Sequence, residues 1–179
     1  MENPDPSATS GFESVVHHLD AHGVAYEVVE HDVTSTAVGD AAASNVDPAA
    51  AGKTLVLHDH RGYSLAVVPA DQHLDIAHVR ELTGASSHLR LASEEEMARD
   101  LPLYEVGAVP PIGPRLPAID VVDVRLVGVD RALFAAGDHR HSLLVSVSDL
   151  LRLAEPRVAD VCEVRDERDP EDREGFFPG

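Results

Sequence analysis

Two apolar runs separated by four turn residues constrain this chain more than any other feature. Lys53-Thr-Leu-Val-Leu-His58 and Tyr63-Ser-Leu-Ala-Val-Val-Pro69 are joined by Asp59-His60-Arg61-Gly62, the pattern of a β-hairpin. A hairpin this apolar needs partners on both faces, so the flanking segments must supply them. Phe12, Val15, Val16 and Leu19 recur at helical spacing before Gly23, which predicts a first helix. A short strand is expected at Tyr26–Glu30 and an Ala-rich helix at Thr34–Ser44. The chain breaks at Asp47-Pro48, and one more helical turn is expected at Ala49–Ala51.

After the hairpin, Asp75 is placed to cap a helix carrying Ile76, Val79 and Leu82 that stops at Gly84. Ser87–Leu91 alternates like a strand, and Ser93 with Glu96 forms a capping box. From Pro102 to Pro117 there are five prolines and two glycines, which predicts a shaped loop. Strands follow at Ile119–Val124, weakly at 127–129, at Leu133–Ala136 and at Leu143–Val147. Ser146 or Ser148 caps a last helix ending at Ala154, and Val158–Val164 closes the domain as an extended segment. The order of elements predicts an α/β fold of the α+β type, a mixed sheet with helices packed beside it. The organisation expected is a flexible leader at 1–11, one domain at 12–165 and an acidic, disordered tail at 166–179.

Composition excludes several functions. No run reaches 18 apolar residues, so no membrane-spanning helix and no membrane partner are expected. The first residues lack the basic and apolar regions of a signal peptide, and Cys162 is the only cysteine. A cytoplasmic protein without disulfides is the expectation. The net charge of −18 works against binding a phosphate backbone, and no DNA partner is expected. Eight acids lie between Asp160 and Glu174 against three arginines, so part of the excess sits outside the core.

One count stands apart. Of fourteen basic residues thirteen are arginine, and Lys53 is the only lysine. An ammonium is a compact point charge and a guanidinium a wide fork. Lys53 opens the first hairpin strand, where its charge can project into a cleft and meet a phosphate or carboxylate. Gly107-Ala-Val-Pro-Pro111-Ile-Gly113 is a second candidate, a stiff loop offering fixed backbone groups to a water or an ester carbonyl. His58/His60 and His139/His141 have His-x-His spacing, but neither pair has a third ligand at suitable distance in sequence, so no metal is expected. No nucleophile elbow, phosphate-binding loop or dinucleotide fingerprint is present, and no cofactor is expected.

Taken in order, these motifs resemble the YbaK / prolyl-tRNA-synthetase-associated editing domains. The matching stretches are Tyr26-Glu-Val-Val-Glu30-His31-Asp32, Thr36-Ala37, Gly52-Lys53-Thr54-Leu55-Val56, Leu74-Asp75, Leu82-Thr-Gly84-Ala85, the Gly107–Gly113 loop, Leu116-Pro117, Gly137-Asp-His-Arg-His141 and Asp149-Leu150. The likeness runs from Phe12 to Cys162. It implies a mixed, highly curved sheet with flanking helices and a free-standing trans-editing aminoacyl-tRNA deacylase. Such a hydrolase acts on the ester of mischarged tRNA by a water assisted by the substrate's ribose hydroxyl, with no metal. Its partners are the aminoacylated acceptor end of tRNA and an aminoacyl-tRNA synthetase. Carried over residue by residue, Lys53 anchors the tRNA 3′ end, and Gly107 and Pro111 frame the catalytic loop. His31, Val109, Gly137, His139 and Ser142 are the substrate-binding candidates. Cysteine-clearing members carry a tyrosine where this chain has Val29 and an acid near Ser142, so the resemblance leaves alanine, serine and threonine open as the residue removed, from tRNA for proline or another tRNA. The alternative reading is a non-catalytic module with this fold that binds a small aminoacyl ligand or a synthetase. A hydrolase of another acyl ester is the third. The intact Lys53, Gly107 and Pro111 favour the enzyme.

Overall fold

The computed structural model describes residues 9–164; the expected tail and most of the expected leader lie outside them. Helix α1 (Gly11–Ala21) is started by a reciprocal capping box between Ser10 and Glu13 and buries Val15 and Leu19. It leads to β1 (Tyr26–Glu30), α2 (Ala37–Ala43) and a 3-10 turn at Pro48–Ala50. The hairpin is present as β2 (Gly52–Asp59) and β3 (Gly62–Pro69), paired from Gly52↔Pro69 to Asp59↔Gly62. Then come α3 (Ile76–Thr83), β4 (Arg90–Leu91), α4 (Glu94–Asp100), β5 (Ile119–Asp123), α5 (Val124–Val127), β6 (Arg131–Ala135), β7 (His141–Ser146), α6 (Val147–Ala154) and β8 (Arg157–Ala159).

The strands form two sheets, where the sequence pattern alone suggested one. The smaller, in the order β1-β7-β6, is antiparallel; the larger runs β4-β2-β3-β5-β8 and is mixed, with β3, β5 and β8 parallel. A single bridge between Ala51 and Leu133 links them. The hairpin is apolar throughout because it is buried on both faces. Val56, Leu65 and Val67 join a core with α1, α6, Phe134 and Leu143. Leu57, Ala66 and Val68 join a second core with Val79, Val121, Val161 and Cys162. A continuous apolar run is what a strand covered on both sides requires.

Three expected elements are shorter or different, each for a local reason. Asp123 ends β5 by accepting from the Arg125 N–H at 3.0 Å, which caps α5 between the strand expected at Ile119–Val124 and the weak one expected at 127–129. Leu89 N–H donates to Ser86 at 3.1 Å, so only Arg90 and Leu91 of the expected 87–91 strand pair with β2. The last strand stops at Ala159, after which Cys162 forms an isolated bridge with Leu74. Ser146 rather than Ser148 caps α6.

Asp123 has no exposed surface and also accepts from the Val161 N–H at 2.9 Å. Burial pushes its carboxyl up, and the N–H groups of Val161 and Arg125 with the Arg125 guanidinium outweigh that, holding it below the ordinary range. The neighbouring Cys162 moves the other way: burial and the Asp123 carboxylate push its thiol up to about 12. A protonated, buried thiol is unreactive. At pH 8 a disulfide exchange reagent is therefore expected to label Cys162 roughly a thousandfold more slowly in the native protein than in denaturant. Rapid native labelling at that pH would show that the C-terminal segment does not seal this side of the sheet.

Candidate functional site

A cleft enclosing about 480 Å³ opens beside the start of β2. It is lined by β2, from Gly52 to Val56, and by the N-terminal turn of α2. Leu91, Ala92 and Met97 also line it, as do Gly107 and Val109 of the proline-rich loop. The Ala-rich composition of α2 has its reason here. Ala41 is fully buried against Ala51, Ala70 and Leu133, and small side chains let the helix lie close to both sheets.

The loop is tied down at several points. The Tyr104 hydroxyl donates to the Pro114 carbonyl, and Tyr104 is buried, which raises its hydroxyl pKa. Glu105 N–H donates to Gly137 and Gly137 N–H to Ala108, both at 2.9 Å. His139 donates from Nε2 to the Val106 carbonyl at 3.0 Å, and its backbone N–H bonds to Glu105 at 3.1 Å. Gly107 adopts φ +85°, a conformation open to glycine and strained for other residues. Among the described residues the N–H groups of Gly107 and Val109 donate in none of these bonds.

The expected site residues fall into three groups. Lys53, Gly107 and Val109 line the cleft; Lys53 is half-buried. His31 and Ser142 lie behind its wall. The His31 ring is 2.9 Å from the Ser142 hydroxyl and 3.8 Å from the carboxylate of Asp40. Gly137 and His139 brace the loop from outside. Pro111 is buried and borders a separate depression with His18, Ile112 and Leu153, so it shapes the loop without facing the cleft. The two His-x-His pairs diverge. His58 bonds Glu96 and stacks on Tyr63, while His60 is exposed. His139 turns to Val106, while His141 bonds Asp138 and stacks on Phe12. Burial pushes the Asp138 carboxyl up, and the Arg140 N–H, the His141 ring and the His141 N–H outweigh it, keeping it low. Among the described residues no group of three or more His, Cys, Asp or Glu is placed to hold a metal ion, and no helix is long and apolar enough to cross a membrane.

Asp40, Thr36 and Thr54 also line the cleft and were not among the expected site residues. Asp40 did carry a signal: it is the only charged residue between Thr34 and Asn45.

Residues 31–153 match the family described as the aminoacyl-tRNA editing domain. The chain belongs to that family. Solved structures agree with the assignment. A proposed trans-editing enzyme for prolyl tRNA synthetase superposes with a TM-score of 0.75 at 29% identity, covering 88% of this chain and all of the other. A hypothetical protein, APE2540, gives 0.76 at 30% identity over 84% of this chain and all of the other. A scaffold from computational epitope grafting gives 0.75 at 25% identity over 88% and 100%. No curated protein matches the sequence. In this editing domain the family match takes in α2, Lys53 and the Gly107 loop, the three parts that surround the cleft.

Proposed function

We propose that this editing domain acts in trans as an aminoacyl-tRNA deacylase, hydrolysing the ester between a small amino acid and the 3′-terminal adenosine of a mischarged tRNA. The observation that carries the reading is that Lys53 and a braced glycine loop line the same cleft of about 480 Å³. That volume suits the aminoacyl end of a nucleotide and little more. Lys53 supplies a point charge for the terminal phosphate. The amides of Gly107 and Val109 are the donors for charge developing on the ester oxygen. Among the described residues no cysteine or histidine lines the cleft, which favours attack by water, with the ribose hydroxyl of the substrate assisting. The likeness to a proposed trans-editing enzyme for prolyl tRNA synthetase makes tRNA for proline the first candidate and the synthetase a candidate partner.

The test is release of amino acid from a panel of tRNAs charged with alanine, serine, cysteine and threonine. Hydrolysis of at least one well above the spontaneous rate is expected, and the fastest names the substrate. Binding without release would move the assignment to a non-catalytic aminoacyl-binding module. Release from simple amino-acid esters but from no tRNA would mark a different ester hydrolase.

A further inference from the structure

Only two charged side chains line the cleft among the described residues, Lys53 and Asp40. Asp40 is 8% exposed, and a carboxylate so enclosed needs an explanation. Thr36 caps α2 and places Asp40 in its first turn, with the side chain on the cleft wall. One oxygen, Oδ1, is anchored by the Thr34 hydroxyl.

His31 stands 3.8 Å from the same oxygen, but its hydrogen bonds are committed elsewhere. Nδ1 lies 2.8 Å from the Asp32 carbonyl, which can only accept, so Nδ1 carries a proton. In the neutral ring Nε2 is then an acceptor, and it takes the Ser142 hydroxyl at 2.9 Å. In that tautomer the ring directs its N–H at Asp32 and presents none to Asp40. The second oxygen, Oδ2, makes no hydrogen bond with the described residues, yet it is not among the buried atoms left without a partner. Of the two oxygens it is the one left for a ligand in the cleft that Asp40 lines. The Thr54 hydroxyl, on another residue that lines the cleft, is buried with no partner among the described residues.

We propose that Asp40 receives the α-ammonium group of the substrate, so that the cleft selects esters of free amino acids and spares N-acylated and peptidyl esters. The inference rests on the deacylase reading and adds the substrate feature read at that site. An aminoacyl-tRNA end is dipolar, with a cationic amino group and an anionic phosphate. Asp40 and Lys53 are its complements. An N-acyl group removes the charge and adds bulk beside Asp40, leaving Oδ2 without the ammonium donor.

Two measurements test this. In the first, the four charged tRNAs and their N-acetylated forms are compared with wild type and Asp40→Asn, which keeps an acceptor for Thr34. Wild type is expected to prefer the free amino form by about 10- to 100-fold, and Asp40→Asn to lose about that factor on free amino esters alone. In the second, 3′-amino-3′-deoxyadenosine acylated with alanine, a stable amide, is titrated by calorimetry or NMR. Binding is expected to weaken by a similar factor on N-acetylation or in Asp40→Asn.

Equal wild-type rates on free and N-acetylated tRNA would overturn the inference and leave the deacylase standing. So would an unchanged Asp40→Asn enzyme. Asp40-dependent binding of the amide with no tRNA hydrolysed would keep the ammonium site and remove the deacylase. Neither binding nor hydrolysis would remove both. The comparison of the two substrate forms needs only wild type, so it holds even where the variant folds poorly.

Discussion

Lys53→Ala is expected to lower deacylation of the preferred charged tRNA by at least about a hundredfold, with the fold unchanged. The size follows from the setting. A charge at the edge of a small cleft acts through less water than one on an open surface, and removal of one preorganised electrostatic partner at a reacting centre typically costs about 10²–10³ in rate. The fold is expected to survive because Lys53 is half-buried and β2 is held by its backbone ladder, in which Lys53 pairs with Val68. The melting temperature of the variant is therefore expected within a few degrees of wild type. Lys53→Arg keeps the charge but replaces a point donor with a planar fork. It is expected to recover only part of the loss, because the cleft of about 480 Å³ leaves a wider fork little room to be placed as the ammonium is. Full activity in Lys53→Ala would mean that the ester is hydrolysed without this charge. The single lysine of an otherwise all-arginine chain would then be an accident of composition.

Lys53 was legible in the sequence for a reason that does not extend to the rest of the site. Its chemistry is unusual within this chain, and it sits at the start of a strand whose apolar pattern is unmistakable. The Gly107 loop was legible from its proline and glycine content, although Pro111 turned out to shape that loop from its buried side. Asp40 was passed over because a lone acid in an alanine-rich helix reads as a solvated residue. Only the packing of Ala41 against Ala51, Ala70 and Leu133 turns that face inward. Most elements were placed correctly because local signals agreed with the tertiary structure, as with the capping box at Ser93 and the left-handed Gly84. The short helix at Val124–Val127 was missed because three of its four residues are β-branched or leucine, which suit a strand equally. The buried Asp123 decided the matter. The division into two sheets depends on contacts between distant segments, and no local pattern carries that.

Gly52→Ala is expected to destabilise the protein by about 1–3 kcal/mol, an overpacking cost, and to lower the melting temperature by roughly 2–12 °C for a domain of this size. A Cβ on Gly52 would lie 2.1 Å from Cε1 of Phe134 and 2.9 Å from Cδ1 and Cζ. Phe134 cannot swing clear, since it is 2% exposed and packed in the main core. The missing side chain is what lets the β6 ring pass under the first residue of β2, next to the Ala51–Leu133 bridge that joins the two sheets. Phe134→Leu alone should cost stability through the cavity it leaves. Combined with Gly52→Ala it should cost less than the two changes added together, because the shorter side chain vacates the space the new methyl needs. Additive losses would mean that the two residues do not share that space. A coupling of about 1 kcal/mol or more would place Phe134 beneath the residue preceding Lys53. The lysine would then stand on a strand whose position is set by a buried ring in the other sheet, and activity in Gly52→Ala should fall beyond what its fraction folded explains.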